Sequence, residues 1–333
     1  MKKILVFILT VSFALLSCTQ KESSRIEFAL GTVCVVTLYD NAHDKIYNDI
    51  FLRLREIENR MSVNIPSSDV SRINSAAGIK PVLVNEDVFM VIERAKYFAE
   101  ISNGAFDPTV GPLVSLWGIG SDEQRVPPLS EIEKAVNLIN WRNVELNAEA
   151  KSVYLTVQGM ALDLGAIAKG YAADEAALIA INAGVKRAKI DLGGNVILIG
   201  EKTDKTPWKV GIQNPGEERG SVLGIVQITP SLQSPFTKTI VTSGVYERFF
   251  EENGKRYHHI FDPSTGFPSY NGLLSVTIIT NNSMDADALS TAVFVLGYEK
   301  GNALLESFPE TEAVFVFDDR SAKTTADANF IFF

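Results

Sequence analysis

Cysteine is almost missing from this 333-residue chain: only Cys18 and Cys34 are present. That excludes a disulfide framework as the source of its stability. A positive balance of charge is lacking too. The formal charge is −9, the isoelectric point lies near 5.0, and no lysine- or arginine-rich run follows the first residues, so no basic face for nucleic acid is available. Apolar runs long enough to cross a bilayer are lacking as well. The one candidate, "MKKILVFILTVSFALLSC", is short, sits at the very start and follows Lys2 and Lys3, which is the grammar of an export signal. There is no internal repeat, no low-complexity tract and no phosphate-binding "GxxxxGK[ST]" loop. Strands and helices do not alternate as in a doubly wound sheet.

What is there is a globular composition, 46% hydrophobic, in a length that suits one large domain or two modest ones. The leader ends in "ALLSC", which resembles a bacterial lipobox. We read residues 1–17 as a signal peptide that is removed, Cys18 as the lipid-bearing first residue, and 18–25 as a lipidated tether. The protein is then exported and anchored to the bacterial cell membrane, facing the periplasm. Cys34, inside "GTVCVVTLY", reads as a small buried strand residue.

Along the chain, "IEFALGTVCVVTLYD" predicts strand, glycine turn, strand. Ile46, Ile50, Leu54, Ile57 and Met61 recur at helical spacing from about Lys45. Further helices are expected over "NEDVFMVIERAKYFAEISNG", capped by Asn85 and ended by Gly104, over "LSEIEKAVNLIN" with a Ser130/Glu133 capping box, over "AIAKGYAADEAALIAINAG" closed by Gly184, and over "SMDADALSTAVFVLGYEKGNALLESF" capped by Ser283 or Asp285. "SVYLTVQ" and "MALDLG" read as consecutive strands, and Asn253-Gly254 marks a hairpin. The mixture predicts an α+β fold, with helices set against a largely antiparallel sheet.

Several stretches could carry chemistry. "DLGAIAKGYAAD" runs into a helix start, where free amides and Lys169 suit an anion, although taken alone a plain junction with a solvated lysine is the more ordinary reading. "DLGGN" permits a close backbone approach or simply a hairpin. Asp287 and Thr291 stand one turn apart on a helix face pointing away from the Leu289–Leu296 stripe, so they are either hard oxygen ligands for Mg²⁺ or a solvated face. Finally, "YHHIFDPSTGFP" holds His258 and His259, two of the three histidines, at the entrance to a tight turn. In a strand they point to opposite faces, so one at most faces a given cleft.

Taken in order, "DLGAIAKGYAAD", "DLGGN", "TSGVYERFF", "HIFDPSTGFP" and "DADALSTAVFVLG" resemble the motifs of the ApbE family of flavin transferases. "GAFDPTVGPLVSLWGIG" and "MS…SDVSRIN" are similar to its N-terminal half. The resemblance covers about Ile26 to the C-terminus and makes 26–333 a single flavin transferase domain. It implies cleavage of FAD, transfer of FMN to a threonine hydroxyl of a target flavoprotein subunit of a membrane redox pump, release of AMP, and a need for Mg²⁺. It implies His259 as the base, Lys169 as the phosphate-facing cation, and metal ligands at Ala166 (carbonyl), Asp287 and Thr291. Leu30, Asn64, Ala105, Phe106, Asp107, Asp163, Lys169 and Ile260 are implied as FAD contacts, with His258 structural. Two positions depart from the family pattern: Leu30 replaces a usual methionine, and Asn64 a usual tyrosine stacked on the cofactor. The second opens the pocket to water and makes FAD pyrophosphatase activity the alternative reading. A flavin-binding lipoprotein without turnover is a further alternative, but it would need no base.

Overall fold

The computed structural model describes residues 23–218, 220–228, 237–325 and 328–333. The expected signal peptide, Cys18 and most of the expected tether lie outside the described residues. In chain order the elements are β1 Ser23–Ala29, β2 Thr32–Leu38, α1 Asp44–Met61, α2 Asp69–Ser75, β3 Val82–Leu83, α3 Glu86–Ile101, α4 Gly111–Trp117, α5 Leu129–Val136, β4 Val144–Asn147, β5 Ser152–Leu155, α6 Ala168–Asn182, β6 Ala188–Leu192, β7 Asn195–Ile199, β8 Trp208–Gln213, β9 Val222–Ile228, β10 Thr237–Gly244, β11 Phe249–Glu252, β12 Lys255–His258, β13 Leu273–Thr280, α7 Ser283–Leu305, β14 Glu312–Phe317, β15 Ala322–Thr324 and β16 Phe330–Phe332.

Eight strands form the central sheet in the order β1-β2-β6-β7-β10-β13-β14-β15, and every pairing in it is antiparallel. Alternation along the strands splits the core. Val36, Ile190, Ile197 and Val241 pack on the helical side, under α1, α6 and α7. Val196, Leu198, Ile240 and Val314 point the other way, onto Trp208, Ile212 and Val226 of the small β16-β9-β8 sheet. A third cluster, with Trp117 at its centre, joins α4 and α5 to Phe250 and Phe261. The expected α+β class is therefore the observed one.

The β1–β2 turn is Leu30-Gly31, both at positive φ (55° and 68°), which is the backbone a two-residue hairpin demands. Cys34 is buried. Its thiol donates to the Ala29 carbonyl at 3.4 Å, and burial pushes its pKa up to about 11, so it packs as an apolar residue.

Some local expectations fail, each for a tertiary reason. The helix at Leu129 starts after Pro128, so Ser130 lies inside it and no capping box forms. "MALDLG" is not a strand; its Ala161 makes one isolated bridge to Val110, and the Asp163 N–H donates to the Pro108 carbonyl. Asn85 precedes α3, but its side chain turns away to Asp69 instead of capping. The α7 cap is Asn282, whose side chain accepts from the Asp285 N–H at 2.8 Å. Asp174 of α6 adds to it by accepting the N–H groups of Ser283 and Met284.

Candidate functional site

The helical layer and the ends of β7 and β10 enclose a cleft of about 670 Å³. Its walls bring together every sequence-predicted site residue that the structure describes. They are Leu30 at the first hairpin, Asn64 beyond α1, Ala105, Phe106 and Asp107 before α4, Asp163, Ala166 and Lys169 entering α6, His259 and Ile260 after β12, and Asp287 and Thr291 on α7.

The two histidines separate at the end of β12, His258 as its last residue and His259 just beyond it. His258 is buried, with its ring edge-on to Tyr270 and Phe294. Its Nε2–H donates to the Ser269 carbonyl at 3.0 Å, and its Nδ1 accepts from the Ile260 N–H at 3.3 Å. Both ring nitrogens are spent on shaping the loop, and burial lowers the pKa to about 4. His259 forms part of the cleft wall. Its Nδ1–H donates to the Arg248 carbonyl at 3.1 Å, the same oxygen that takes the His259 backbone N–H. That bond selects the tautomer with Nε2 as a free acceptor. Burial first, and then the Arg248 cation, push the pKa down to about 3, so the ring is neutral at physiological pH. The following loop is held by its own bonds: Gly266 N–H to the Asp262 carbonyl, Ser264 to the Asp262 carboxylate, and Trp117 Nε1 to the Gly266 carbonyl.

His258 gives a stability prediction. Its folded pKa, about 4, lies below the unfolded value near 6.5, so the unfolded chain binds the extra proton between those limits. Its stabilising contribution is complete above pH 6.5 and is lost as pH falls toward 4, by up to about 3 kcal/mol. The stability difference between wild type and His258→Gln, measured by denaturant unfolding, should shrink by roughly that amount between pH 7 and 4. Asp174, raised to about 6 by burial, works in the opposite direction but is common to both proteins and drops out of the difference. A difference that stays flat across this range would rule out a neutral buried His258.

Asp287 departs from the expected free face. Only 3% of it is exposed. Its Oδ2 accepts from the Gly170 N–H at 2.9 Å, and Oδ1 lies 3.5 Å from Lys169 Nζ. The contact needs glycine at 170, because a Cβ there would come within 2.1 Å of the Ser283 carbonyl. Asp287 is thus both a lining residue and a tie between α6 and α7. Thr291 Oγ1 lies 3.2 Å from Ser243 Oγ, which also bonds Ser290. Lys169 donates to the Gly165 carbonyl as well, and Asp163 accepts from the Gly165 N–H at 2.7 Å. Asp107 is locked by Thr109 and by the Trp141 N–H, so its carboxylate braces the 105–109 loop, and burial raises its pKa.

One carboxylate, one hydroxyl and a neighbouring loop carbonyl are hard oxygens of the type Mg²⁺ accepts alongside water and phosphate. No cluster of three or more His, Cys, Asp or Glu side chains suited to a metal occurs among the described residues. A cation here would share its shell with a ligand. Lys169 and Arg248 make the same wall attractive to phosphate.

Among the lining residues that do not stand out in the sequence are Asn195, Ser243 and Arg248. "DLGGN" and "TSGVYERFF" flagged their segments, but the decisive group in Arg248 is a backbone carbonyl, which no side-chain pattern reveals.

Comparison with known proteins agrees with this geometry. The profile described as the ApbE family matches residues 30–315. An FAD:protein FMN transferase of Treponema pallidum is 39% identical over 327 residues, covering 92% of this chain and 87% of that protein. One from Vibrio cholerae is 33% identical, over 83% and 81%. Among solved structures, the ApbE protein of Thermotoga maritima superposes with a TM-score of 0.82 at 34% identity, covering 92% of this chain and 97% of that one. The flavin transferase ApbE of Vibrio cholerae gives 0.80 at 28%, covering 93% and 97%.

Proposed function

The chain belongs to the ApbE family, and on that premise we propose that it is an FAD:protein FMN transferase. The observation that carries the reading is the convergence, in one cleft, of a neutral histidine with a free Nε2 and a lysine–carboxylate–hydroxyl cluster.

The acceptor is a threonine hydroxyl of a target protein. Its oxygen attacks the phosphorus on the flavin side of the pyrophosphate, the bond to the bridging oxygen breaks, and AMP leaves. The threonine proton passes to His259 Nε2, because an alcohol is a poor nucleophile at neutral pH without a base. Arg248 holds that base through its carbonyl, which leaves Nε2 free to accept the proton. Lys169 offsets the negative charge that repels the incoming oxygen and that grows on the leaving phosphate. Mg²⁺ would be held by the Asp287 carboxylate, the Thr291 hydroxyl and the Ala166 carbonyl. When bound it supplies further neutralisation of the phosphates.

The setting is part of the proposal. With residues 1–17 removed and Cys18 lipidated, the domain works at the outer side of a bacterial membrane. Its targets there would be flavoprotein subunits of redox pumps. Incubation of the protein with FAD and Mg²⁺, with and without a target-domain peptide, tests the assignment. AMP release together with a peptide mass gain equal to FMN minus water is expected, and AMP without any peptide adduct would exclude transfer.

A second activity at the same site is favoured by Asn64. It is exposed at the cleft wall, where an aromatic side chain would stack on the flavin. A missing stack forfeits about 0.5–1.5 kcal/mol and leaves room for water. Wild type should therefore hydrolyse FAD to FMN and AMP when no target is present. Asn64→Tyr should slow that reaction several-fold while sparing transfer, since base and cation site are untouched. Equal or faster AMP release by the tyrosine variant at saturating FAD would remove Asn64 from control of hydrolysis.

A further inference from the structure

Among the described residues, a few buried side-chain polar atoms have no hydrogen-bond partner: Trp141 Nε1, Asn195 Nδ2, Asn214 Oδ1 and Ser275 Oγ. Of these residues, only Asn195 lines the cleft. Asn195 is 2% exposed. Leaving an amide donor buried and unpaired costs free energy, and leucine would fill the same space without that cost. A position that carries such a donor in the wall of a ligand cleft is explained if the ligand supplies the acceptor.

The fold fixes where this donor sits. Asn195 opens β7, directly after a turn made by Gly193 and Gly194 at φ 62° and 97°. The Asp191 carboxylate accepts the Gly194 N–H, and the Thr32 side chain packs where a Cβ on Gly193 would be. The hairpin is thereby held in one position. In the ladder Asn195 faces Val241, so the two side chains share a sheet face, and that face is the helical one. Two residues along β10 on the same face is Ser243, bonded to Ser290 and Thr291 of α7. The unpaired amide is therefore a diagonal neighbour of the hydroxyl cluster that contains Thr291, a proposed cation ligand.

We propose that Asn195 is a substrate-contacting residue whose Nδ2 donates a hydrogen bond to an acceptor oxygen of FAD, either a flavin ring carbonyl or a phosphoryl oxygen. This rests on the reading of the cleft as an FAD site. It adds an uncharged recognition group to a wall otherwise read through Lys169, Asp287 and Thr291.

The test uses opposite signs in empty and loaded protein. Asn195→Leu removes the orphan donor at similar volume, and Asn195→Ala removes it without risk of a clash, so the alanine variant decides if leucine does not fold. Melting temperature is measured without ligand, and affinity for FAD by titration in excess chelator, where no turnover is expected. Asn195→Leu should melt at or above wild type when empty, and either variant should bind FAD roughly ten-fold or more weakly. Riboflavin and ADP, titrated separately, locate the acceptor: a loss confined to riboflavin puts it on the flavin ring, and one confined to ADP on the phosphates. FAD affinity equal to wild type in the folded variants overturns the proposal, whatever happens to the melting temperature. Wild type that transfers FMN beside variants with unchanged FAD affinity removes only the role of Asn195. Wild type that does not bind FAD removes the FAD reading and this inference together.

Discussion

His259→Ala should still bind FAD but transfer FMN about 10²–10⁴-fold more slowly, the usual loss when a general base is removed. The expectation follows from how its two nitrogens are committed. Nδ1–H is fixed on the Arg248 carbonyl, so Nε2 is the nitrogen left to accept a proton. His258, one residue earlier, has both nitrogens engaged within the loop and none to offer. His258→Ala should therefore act mainly on stability, and its residual activity per folded molecule should stay near wild type. The pH profile gives a second readout. The ring of His259 is neutral above about pH 3, because burial and the nearby Arg248 and Lys169 cations disfavour its protonated form. The rate at subsaturating FAD should then show no acid limb near 6.5, where an ordinary histidine titrates. Equal losses in the two alanine variants, or an acid limb at 6.5 that His259→Ala abolishes, would contradict this division of roles.

That division is partly legible in the sequence. Alternation along a strand says that adjacent histidines face opposite ways, and the motif around His259 says which one meets the cleft. The hairpins at Leu30-Gly31, Gly193-Gly194 and Asn253-Gly254 were equally plain, because positive φ leaves few residue choices. The long helices announced themselves through apolar spacing. The local sequence misleads at caps and at one short apolar run. A capping box needs serine just outside the helix, yet Pro128 moved the α5 start so that Ser130 fell inside. "MALDLG" has a strand's composition, but the Asp163 N–H is taken by Pro108 from a distant loop instead of by a strand. Such partners are set by tertiary packing and leave no local mark. The same holds for Arg248, which holds His259 through a carbonyl common to all residues.

Asp287 shows how this blindness changes an expected phenotype. Read from helix periodicity alone it lies off the apolar stripe, so its loss should spare folding. In the folded chain it accepts the Gly170 N–H, where α6 and α7 approach too closely for any side chain at 170. Asp287→Ala should thus cost both turnover and stability. Leaving the Gly170 N–H buried without an acceptor is worth about 1–3 kcal/mol. Asp287→Asn separates the two effects, because its side-chain carbonyl can still accept from Gly170 while the negative charge is gone. It should fold with little loss yet turn over FAD at least 10²-fold more slowly, and excess Mg²⁺ should not restore it. Wild type should lose activity in chelator and regain it with Mg²⁺. If Asp287→Asn kept wild-type turnover with the same Mg²⁺ response, the carboxylate would be only a helix tie. The cation would then have to be held by other groups in the cleft.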